Sequence, residues 1–255
     1  MLHCLRHGPS GAARPPVVIA HGLFGSARNW GAIARALASD RAVVAVDMRN
    51  HGQSAWDERH SYADLAADLA EVLEAEGAPV DLIGHSMGGK AAMALALTRP
   101  DLVRRLAVID IAPVAYGHTQ QGYIDAMRGL DVEGLTGRAE ADRRLAAAVP
   151  DPGVRGFLLQ SLDLRADPPR WRLNLDALEG NMEAILGWPA PGGRFEGPAL
   201  FLAGGASDYV QAEHRPAIRA AFPAARIARI PGAGHWLHAE APEATADTLR
   251  AFLDA

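Results

Sequence analysis

Short apolar runs and Ala/Leu-rich segments alternate along most of this chain. The apolar runs, mostly bounded by glycine or proline, lie at residues 17–20, 42–47, 80–84, 106–111, 198–203 and 226–230. The segments between them carry apolar residues at helical spacing, at residues 29–38, 61–76, 87–98, 211–221 and 242–254. Strands that are apolar throughout are buried on both faces, and their alternation with helices is typical of a parallel sheet. The pattern therefore predicts an α/β fold with a mostly parallel central sheet flanked by helices.

The stretch between Pro113 and about Pro191 lacks such apolar runs. It contains helix-like segments, separated by glycine, proline and an Asp-Pro-Pro sequence, at residues 120–129, 137–148, 153–162 and 174–186. We interpret residues 113–190 as a helical cap inserted between two strands of the sheet. Residues 1–112 and 191–255 then form the core.

Composition and charge exclude several classes of function. With 255 residues, of which 49% are hydrophobic and 22% charged, the chain can bury a large core and is expected to be globular and soluble. The net charge is −5 and the basic residues form no run, so no nucleic-acid partner is expected. No stretch of roughly 20 apolar residues predicts a membrane span. Cys4 is the only cysteine and the N-terminus lacks the pattern of a signal peptide, so we expect a cytoplasmic protein. We expect it to be a monomer or a homodimer.

The sequence Gly84-His85-Ser86-Met87-Gly88 joins a predicted strand to a predicted helix. It matches the G-x-S-x-G pattern, in which a nucleophilic serine occupies a tight, strained turn and a Cβ on either flanking glycine would clash with the neighbouring chain. The start of the following helix supplies unpaired backbone N–H groups and the positive end of the helix dipole beside the serine. We therefore predict that Ser86 is a nucleophile.

A serine hydroxyl needs a base near neutral pH, normally a histidine that a carboxylate holds in place. In this architecture the histidine comes last along the chain. His235 follows the final predicted strand, in the Gly-rich sequence PGAGHWLHAE (231–240). His238 is expected to turn away with the next helix, and His85 is held by the serine turn itself. His235 is therefore the predicted base.

The Gly-rich sequence HGLFGS (21–26) follows the first predicted strand. Its glycines let the backbone turn so that an N–H, that of Leu23, can face Ser86. Together with the N–H of Met87, it is predicted to form an oxyanion hole, in which each donor is typically worth ~10²–10³ in rate.

Five motifs, in this order, resemble those of the α/β-hydrolase fold, and within it the small esterases of bacteria and mitochondria. They are HGLFGS (21–26), DMRNHGQS (47–54), LIGHSMGGK (82–90), DIAPV (110–114) and GAGHWLHAE (232–240). The resemblance covers essentially the whole chain. It implies a serine hydrolase with a helical cap that acts on a carboxylic ester or thioester and has no metal and no organic cofactor. Within DMRNHGQS we interpret Asp47, Arg49 and His51 as a hydrogen-bonded loop that braces the site.

The carboxylate of the triad has two main candidates. In most α/β-hydrolases it lies three residues beyond the glycine that ends the strand after the cap. Counted from Gly204 that position is Ser207, whereas counted from Gly205 it is Asp208. Asp208 therefore stays open as the acid.

Asp110 is the other candidate, since it ends the strand before the cap and the DIAP aspartate is an alternative acid position in the resembled esterases. An aspartate in so apolar a run is costly to bury without a specific hydrogen-bond partner. We favour Asp110 over Asp208, with Ser207 as an auxiliary hydrogen-bonding group. A third candidate, Asp176, would require the cap to fold its carboxylate down onto His235.

The predicted cap is expected to roof an acyl pocket together with residues of the core. The apolar residues expected at this pocket, each of which could equally belong to the hydrophobic core, are Phe24, Phe157, Leu158, Leu159, Trp188 and Trp236.

The expected function is the cleavage of a small acyl ester or thioester through an acyl-enzyme on Ser86. Cofactor-free haloperoxidases, C–C bond hydrolases and lyases reuse the same triad, and no local motif separates them from an esterase. A haloalkane dehalogenase would need a carboxylate as nucleophile. A non-catalytic small-molecule receptor would not require the complete set of serine turn, base and oxyanion loop.

Overall fold

The strands of the central sheet coincide with the apolar runs, with one further strand at the edge. A computed structural model of the protein describes residues 1–9, 11–77 and 79–255. The strands in these residues are β1 (His3–His7), β2 (Val17–Ala20), β3 (Val43–Asp47), β4 (Val80–His85), β5 (Val103–Ile109), β6 (Leu162–Asp163), β7 (Arg170–Trp171), β8 (Ala199–Gly204) and β9 (Ala225–Ile230). The α-helices are α1 (Gly31–Leu37), α2 (Tyr62–Ala75), α3 (Met87–Thr98), α4 (Gln121–Gly129), α5 (Arg138–Leu145), α6 (Pro152–Leu159), α7 (Leu175–Gly180), α8 (Met182–Leu186), α9 (Arg215–Ala221), α10 (Leu237–Glu240) and α11 (Pro242–Asp254).

Seven strands form one sheet, in the order β1-β3-β2-β4-β5-β8-β9. All neighbours run parallel except β1, which pairs antiparallel with β3. Strands β2, β3, β4 and β8 are buried along their whole length, as their largely apolar sequences predict. The parallel register aligns the strand ends, with Ala20 opposite Gly84 and His85 opposite Ile109. The loops that leave these carboxyl ends therefore meet at one edge of the sheet.

Helices cover both faces of the sheet. Leu65 of α2 and Met93 of α3 belong to the core on one face, and Ile33 of α1 and Leu249 of α11 to the core on the other. Helix α3 is buried from its first residue through Leu97, which agrees with an Ala-rich sequence that has no polar face. Among the described residues, no helix is long and apolar enough to cross a bilayer.

The chain between β5 and β8, here called the insertion, is mainly helical. Its elements differ from the predicted helices in two respects. The segment predicted as one helix at 174–186 forms two, α7 and α8. The break lies at Asn181, whose side-chain amide donates to the carbonyl oxygens of Ala177 (2.8 Å) and Glu58 (2.9 Å). The insertion also contains the short antiparallel pair β6 and β7, for which two-residue strands leave no apolar run in the sequence.

Strand β1 is the other element that the sequence did not predict. It pairs with β3 along the edge of the sheet, and its residues are only partly buried. An edge strand needs one apolar face only, so the sequence His-Cys-Leu-Arg-His shows no continuous apolar run. Cys4 lies in this strand as a free, partly buried thiol.

Candidate active site

Ser86 lies in the tight turn between β4 and α3. Its backbone has φ 50° and ψ −117°, a left-handed φ that a non-glycine residue rarely adopts. Two hydrogen bonds hold this conformation: the N–H of Ser86 donates to the carbonyl of Ile109 (3.0 Å), and the N–H of Lys90 donates to the carbonyl of Ser86 (3.0 Å). The serine is therefore fixed between two central strands and the first turn of α3.

The glycines on either side of Ser86 are sterically required. A Cβ at Gly84 would lie 2.4 Å from the carbonyl oxygen of Gly88, and a Cβ at Gly88 would lie 2.4 Å from the carbonyl oxygen of His21. Both contacts are with backbone atoms, which cannot move aside. A side chain at either position would therefore clash with the backbone, as the G-x-S-x-G pattern implies.

A continuous line of hydrogen bonds connects Ser86, His235 and Asp110. The hydroxyl of Ser86 is 3.1 Å from His235 Nε2, and Nδ1–H of the same ring donates to Asp110 Oδ2 over 2.8 Å. The Ser86 side chain comes from the end of β4, Asp110 follows β5, and His235 follows β9. The aligned carboxyl ends of the parallel strands thus bring together three residues that are far apart in the chain.

Asp110 is fully buried, and its carboxylate has further donors besides His235. The N–H of Gly204 donates to Oδ1 (2.9 Å), and the hydroxyl of Ser207 donates to Oδ2. These bonds replace the water that a buried carboxylate loses. Ser207 lies three residues beyond Gly204, the last residue of β8.

The other candidate acids lie elsewhere in the structure. Asp208 is exposed, and its carboxylate accepts a hydrogen bond from the side chain of Gln211 (3.1 Å). Its place follows from the end of β8 at Gly204, since the alternative count would require the strand to continue one residue further. Asp176 projects from the insertion into solvent and pairs with Arg128.

The loop after β2 is held by backbone hydrogen bonds and contributes Leu23 to the wall of the cavity at Ser86. The N–H of Phe24 donates to His51 Nε2 (3.2 Å), and that of Gly25 donates to the carbonyl of Gly22 (3.0 Å). In the described part of the chain the N–H groups of Leu23 and Met87 have no acceptor, and both residues line the cavity at Ser86.

A residue of the insertion also holds this loop. Phe24 has a left-handed backbone conformation, with φ 62°, and its carbonyl accepts a hydrogen bond from the hydroxyl of Ser161 (2.8 Å). The two contacts of Phe24, with His51 and with Ser161, fix the turn from both sides.

The DMRNHGQS segment forms the hydrogen-bonded loop that the sequence suggested. The carboxylate of Asp47 accepts the N–H groups of Ala27 (2.8 Å) and Gln53 (2.9 Å), and Arg49 makes two hydrogen bonds with Asp68. These contacts hold the segment against the chain that follows β2 and against helix α2.

A cavity of about 160 Å³ lies between the carboxyl edge of the sheet and the insertion, with Ser86 and His235 in its wall. Four of the predicted pocket residues line it, namely Phe24, Phe157, Leu158 and Trp236. The rings of Phe157 and Trp236 pack against each other with centroids 5.5 Å apart. The wall at the nucleophile is therefore largely apolar.

The model of the alpha/beta hydrolase family matches residues 17–248. The chain belongs to the alpha/beta hydrolase family. The prediction of an α/β-hydrolase fold is thereby confirmed.

Several relatives in this family are named for ester cleavage. The Mus musculus protein named sn-1-specific diacylglycerol lipase ABHD11 is 41% identical over 251 residues, which are 95% of this chain and 82% of that protein. Esterase YbfF of Escherichia coli (strain K12) is 40% identical over 244 residues, 94% of this chain and 93% of the relative. A solved structure titled Marine microorganism esterase superposes with a TM-score of 0.92 at 36% identity and covers 98% of each chain. The chain is thus a hydrolase of the ester-cleaving kind.

Two predicted pocket residues of this hydrolase have other positions. Trp188 is not among the residues that line the cavity in the described chain; it follows the end of α8 and packs, half-buried, against the hydrophobic core. Leu159 is likewise buried in that core. Neither residue lines the cavity at Ser86, which sequence spacing in an irregular insertion does not reveal.

Sequence reasoning missed two residues that hold His235. The buried His85 donates from Nε2–H to the carbonyl oxygen of His235 (2.9 Å), and burial keeps its pKa well below the usual range, so the ring is neutral. Tyr209 stacks on the His235 ring, with centroids 3.9 Å apart and planes 19° from parallel. The signal available for Tyr209 was its place two residues beyond Ser207, and for His85 its place beside the nucleophile.

His238 is not among the residues that line the cavity at Ser86. It is buried in α10 and stacks on Trp30, with centroids 4.4 Å apart. Burial lowers the pKa of His238 to about 3, so it is neutral at ordinary pH.

Proposed function

We propose that the protein hydrolyses carboxylic esters of short acyl chains through an acyl-enzyme formed on Ser86. His235 is the general base and acid, and Asp110 is the carboxylate that orients it. The observation that carries the proposal is the line of hydrogen bonds from Ser86 Oγ through His235 to Asp110, at 3.1 and 2.8 Å. The family and its esterase relatives support the same class of reaction.

In the first step, His235 Nε2 takes the hydroxyl proton of Ser86 while Oγ forms a bond to the ester carbonyl carbon. The carbonyl electrons move to oxygen and give a tetrahedral oxyanion. When the carbonyl re-forms, the bond to the alcohol oxygen breaks, and His235 gives its proton to the leaving alcohol. Water then attacks the acyl carbon, loses a proton to His235, and Ser86 regains its proton as the carboxylic acid leaves.

Asp110 stabilises the imidazolium that forms in each step and holds the ring in the tautomer with Nδ1–H. The hydroxyl of Ser207 and the N–H of Gly204 fix the carboxylate, and Tyr209 restricts the ring from one face. Ser207 is thus an auxiliary positioning group, as expected from its place in the sequence. This preorganisation matters because a small displacement of the base from Ser86 lowers the rate strongly.

The N–H groups of Leu23 and Met87 form the proposed oxyanion hole. Neither N–H has an acceptor among the described residues, and that of Met87 is the first N–H of α3. Donors that are fixed before the reaction stabilise the developing negative charge without reorganising. All the chemistry of the proposed mechanism comes from side chains and backbone amides of this chain.

We further propose that the insertion acts as a cap and that the cavity beneath it binds the acyl chain. Its volume of about 160 Å³ is close to that of an engineered apolar cavity of about 150 Å³ that binds benzene. An apolar acyl chain of about six carbons or fewer therefore fits. Phe157, Leu158 and Trp236 would contact this chain.

The proposal is tested by labelling the folded protein with a fluorophosphonate and mapping the adduct, together with hydrolysis of p-nitrophenyl esters from acetate to decanoate and of butyryl thioesters. We expect one adduct, on Ser86, none in Ser86→Ala or in heat-unfolded protein, and the highest kcat/KM on butyrate or hexanoate.

A folded protein that forms no adduct would contradict the proposal and favour a non-catalytic receptor. An adduct on Ser86 with no hydrolysis of any ester or thioester would instead move the assignment to C–C bond cleavage on the same triad.

A further inference from the structure

Lys90 is the only lysine in the chain, and it is 1% exposed. It lies in α3, one helical turn beyond Ser86. In the described part of the chain, no carboxylate pairs with its ammonium group. Burying an ammonium group is costly unless other acceptors satisfy its N–H groups. The ammonium group of Lys90 therefore requires hydrogen-bond acceptors within the fold.

The ammonium group of Lys90 joins the core to the insertion. Nζ donates to the carbonyl oxygens of Leu186 (2.8 Å) and Gly187 (2.6 Å) and lies 3.5 Å from that of Ile185. These carbonyls belong to the end of α8, where the last turn of a helix has no intrahelical donors. The ammonium group thus connects the end of α8 in the insertion to α3 in the core through hydrogen bonds.

Two tyrosines complete this contact. The hydroxyl of Tyr62 in α2 donates to the carbonyl oxygen of Ile185 (2.6 Å), and the backbone N–H of Tyr116 donates to that of Leu186 (3.0 Å). The two ring centroids lie 5.6 and 4.9 Å from Nζ of Lys90, within the range in which an aromatic face attracts a cation. Burial lowers the pKa of Lys90 to about 7. Hydrogen bonds to carbonyl oxygens and contact with aromatic faces favour the charged form of an ammonium group.

The end of α8 is also part of the cavity wall. Ile185 and Leu186 line the same cavity as Ser86, next to Tyr62, Tyr116 and Lys90. The backbone that carries the Ile185 and Leu186 side chains is the backbone that Lys90 holds. In so small a cavity, a displacement of this wall changes which acyl chain fits.

We propose that Lys90 is a positioning residue that holds the end of α8 against the core and thereby sets the length of acyl chain that the cavity accepts. The inference rests on the proposed esterase function, which supplies the acyl chain. Lys90 places the wall of the pocket and takes no part in the proton transfers.

The test compares Lys90→Met with wild type on p-nitrophenyl acetate, butyrate, hexanoate and decanoate. Methionine keeps an unbranched side chain and removes the ammonium group. We expect the ratio of kcat/KM for decanoate to that for butyrate to rise roughly tenfold, mainly through KM, because the released wall no longer excludes the longer chain. The matched control is Leu95→Met, a buried residue of the same helix that faces the groove between α2 and α3; we expect its ratio to stay within about twofold of wild type.

An unchanged ratio in Lys90→Met, or an equal loss of activity on every ester, would overturn the proposal, since general structural damage lowers all the rates together. If Lys90→Met does not fold, Tyr62→Phe removes only the hydroxyl that binds Ile185, and we expect a smaller shift in the same direction; an unchanged ratio there counts against the proposal. Fluorophosphonate labelling of wild type is measured alongside, because its absence would contradict the esterase function rather than the role of Lys90.

Discussion

Asp110 shows how one buried side chain can be recognised from the physical cost of its position. A carboxylate at the end of an apolar strand requires donors, and in the folded chain Gly204, Ser207 and His235 supply them. Counting residues beyond the strand after the insertion was ambiguous, because the sequence does not say whether that strand ends at Gly204 or one residue later. The cost of burying a carboxylate without donors favours Asp110 independently of where that strand ends.

The role of Asp110 is tested by Asp110→Asn. The amide keeps the shape of the side chain but cannot stabilise the imidazolium or hold the Nδ1–H tautomer. We expect kcat on p-nitrophenyl butyrate to fall by ~10³–10⁴ with the fold retained. Steady-state kinetics of the purified variant measure kcat, and circular dichroism shows whether the fold is retained.

Asp208→Asn is the matched control, because Asp208 is exposed and its carboxylate accepts a hydrogen bond from Gln211. We expect its kcat to remain near wild type. The reverse pattern, with a large loss at Asp208 and none at Asp110, would reassign the acid.

At the scale of elements, the sequence predicts best those structures whose pattern is local. The buried parallel strands and the serine turn follow from continuous apolar runs and from glycines beside Ser86. Strand β1 and the break between α7 and α8 depend on distant partners: β3 for the edge strand, and Glu58, whose carbonyl accepts from Asn181. The contacts of Lys90 with α8 are likewise invisible in the sequence, because they join elements about 95 residues apart in the chain.

The steric account of the serine turn predicts the effect of Gly88→Ala. The added Cβ would lie 2.4 Å from the carbonyl oxygen of His21, so the turn has to shift. We expect a loss of about 2 kcal/mol or more in the free energy of unfolding, together with loss of fluorophosphonate labelling. Urea unfolding measures the free energy of unfolding, and mass spectrometry of the adduct measures the labelling.

Gly122→Ala provides the comparison, since Gly122 lies in α4 and nothing is found within 4 Å of its added Cβ. Alanine favours the helix over glycine, so stability should rise by roughly 0.5–1 kcal/mol. Equal effects of the two substitutions would show that the turn tolerates a side chain at Gly88.

At the scale of the whole molecule, the site is surrounded by buried histidines. Burial lowers the pKa of each below its usual value of 6.5, and the five residues are His21, His51, His60, His85 and His238. The pKa falls to about 4 for His60 and to about 3 for His238. The folded protein therefore holds these rings neutral at a pH where the unfolded chain would protonate them.

These buried histidines make the free energy of unfolding depend on pH. Between these lowered pKa values and 6.5 the unfolded chain binds more protons than the folded chain, so the free energy of unfolding falls as the pH is lowered through that range. One such histidine contributes roughly 1.4 kcal/mol per pH unit.

The variant His238→Phe isolates one of these contributions. Phenylalanine can keep the stacking on Trp30 and has no proton to gain. We expect the slope of unfolding free energy against pH, from urea titrations between about pH 4 and about pH 6, to be smaller by roughly 1 kcal/mol per pH unit. Equal slopes for the variant and wild type would show that His238 does not resist protonation in the folded state.

In the proposed mechanism, Ser86 forms the acyl-enzyme. This role is tested most directly by the kcat of Ser86→Ala on p-nitrophenyl butyrate, measured beside wild type on protein shown to be folded. We expect kcat to fall by a factor of roughly 10⁴–10⁶, because only substrate binding and the oxyanion hole still contribute to the rate. A variant that keeps its kcat within about tenfold of wild type would contradict this role of Ser86.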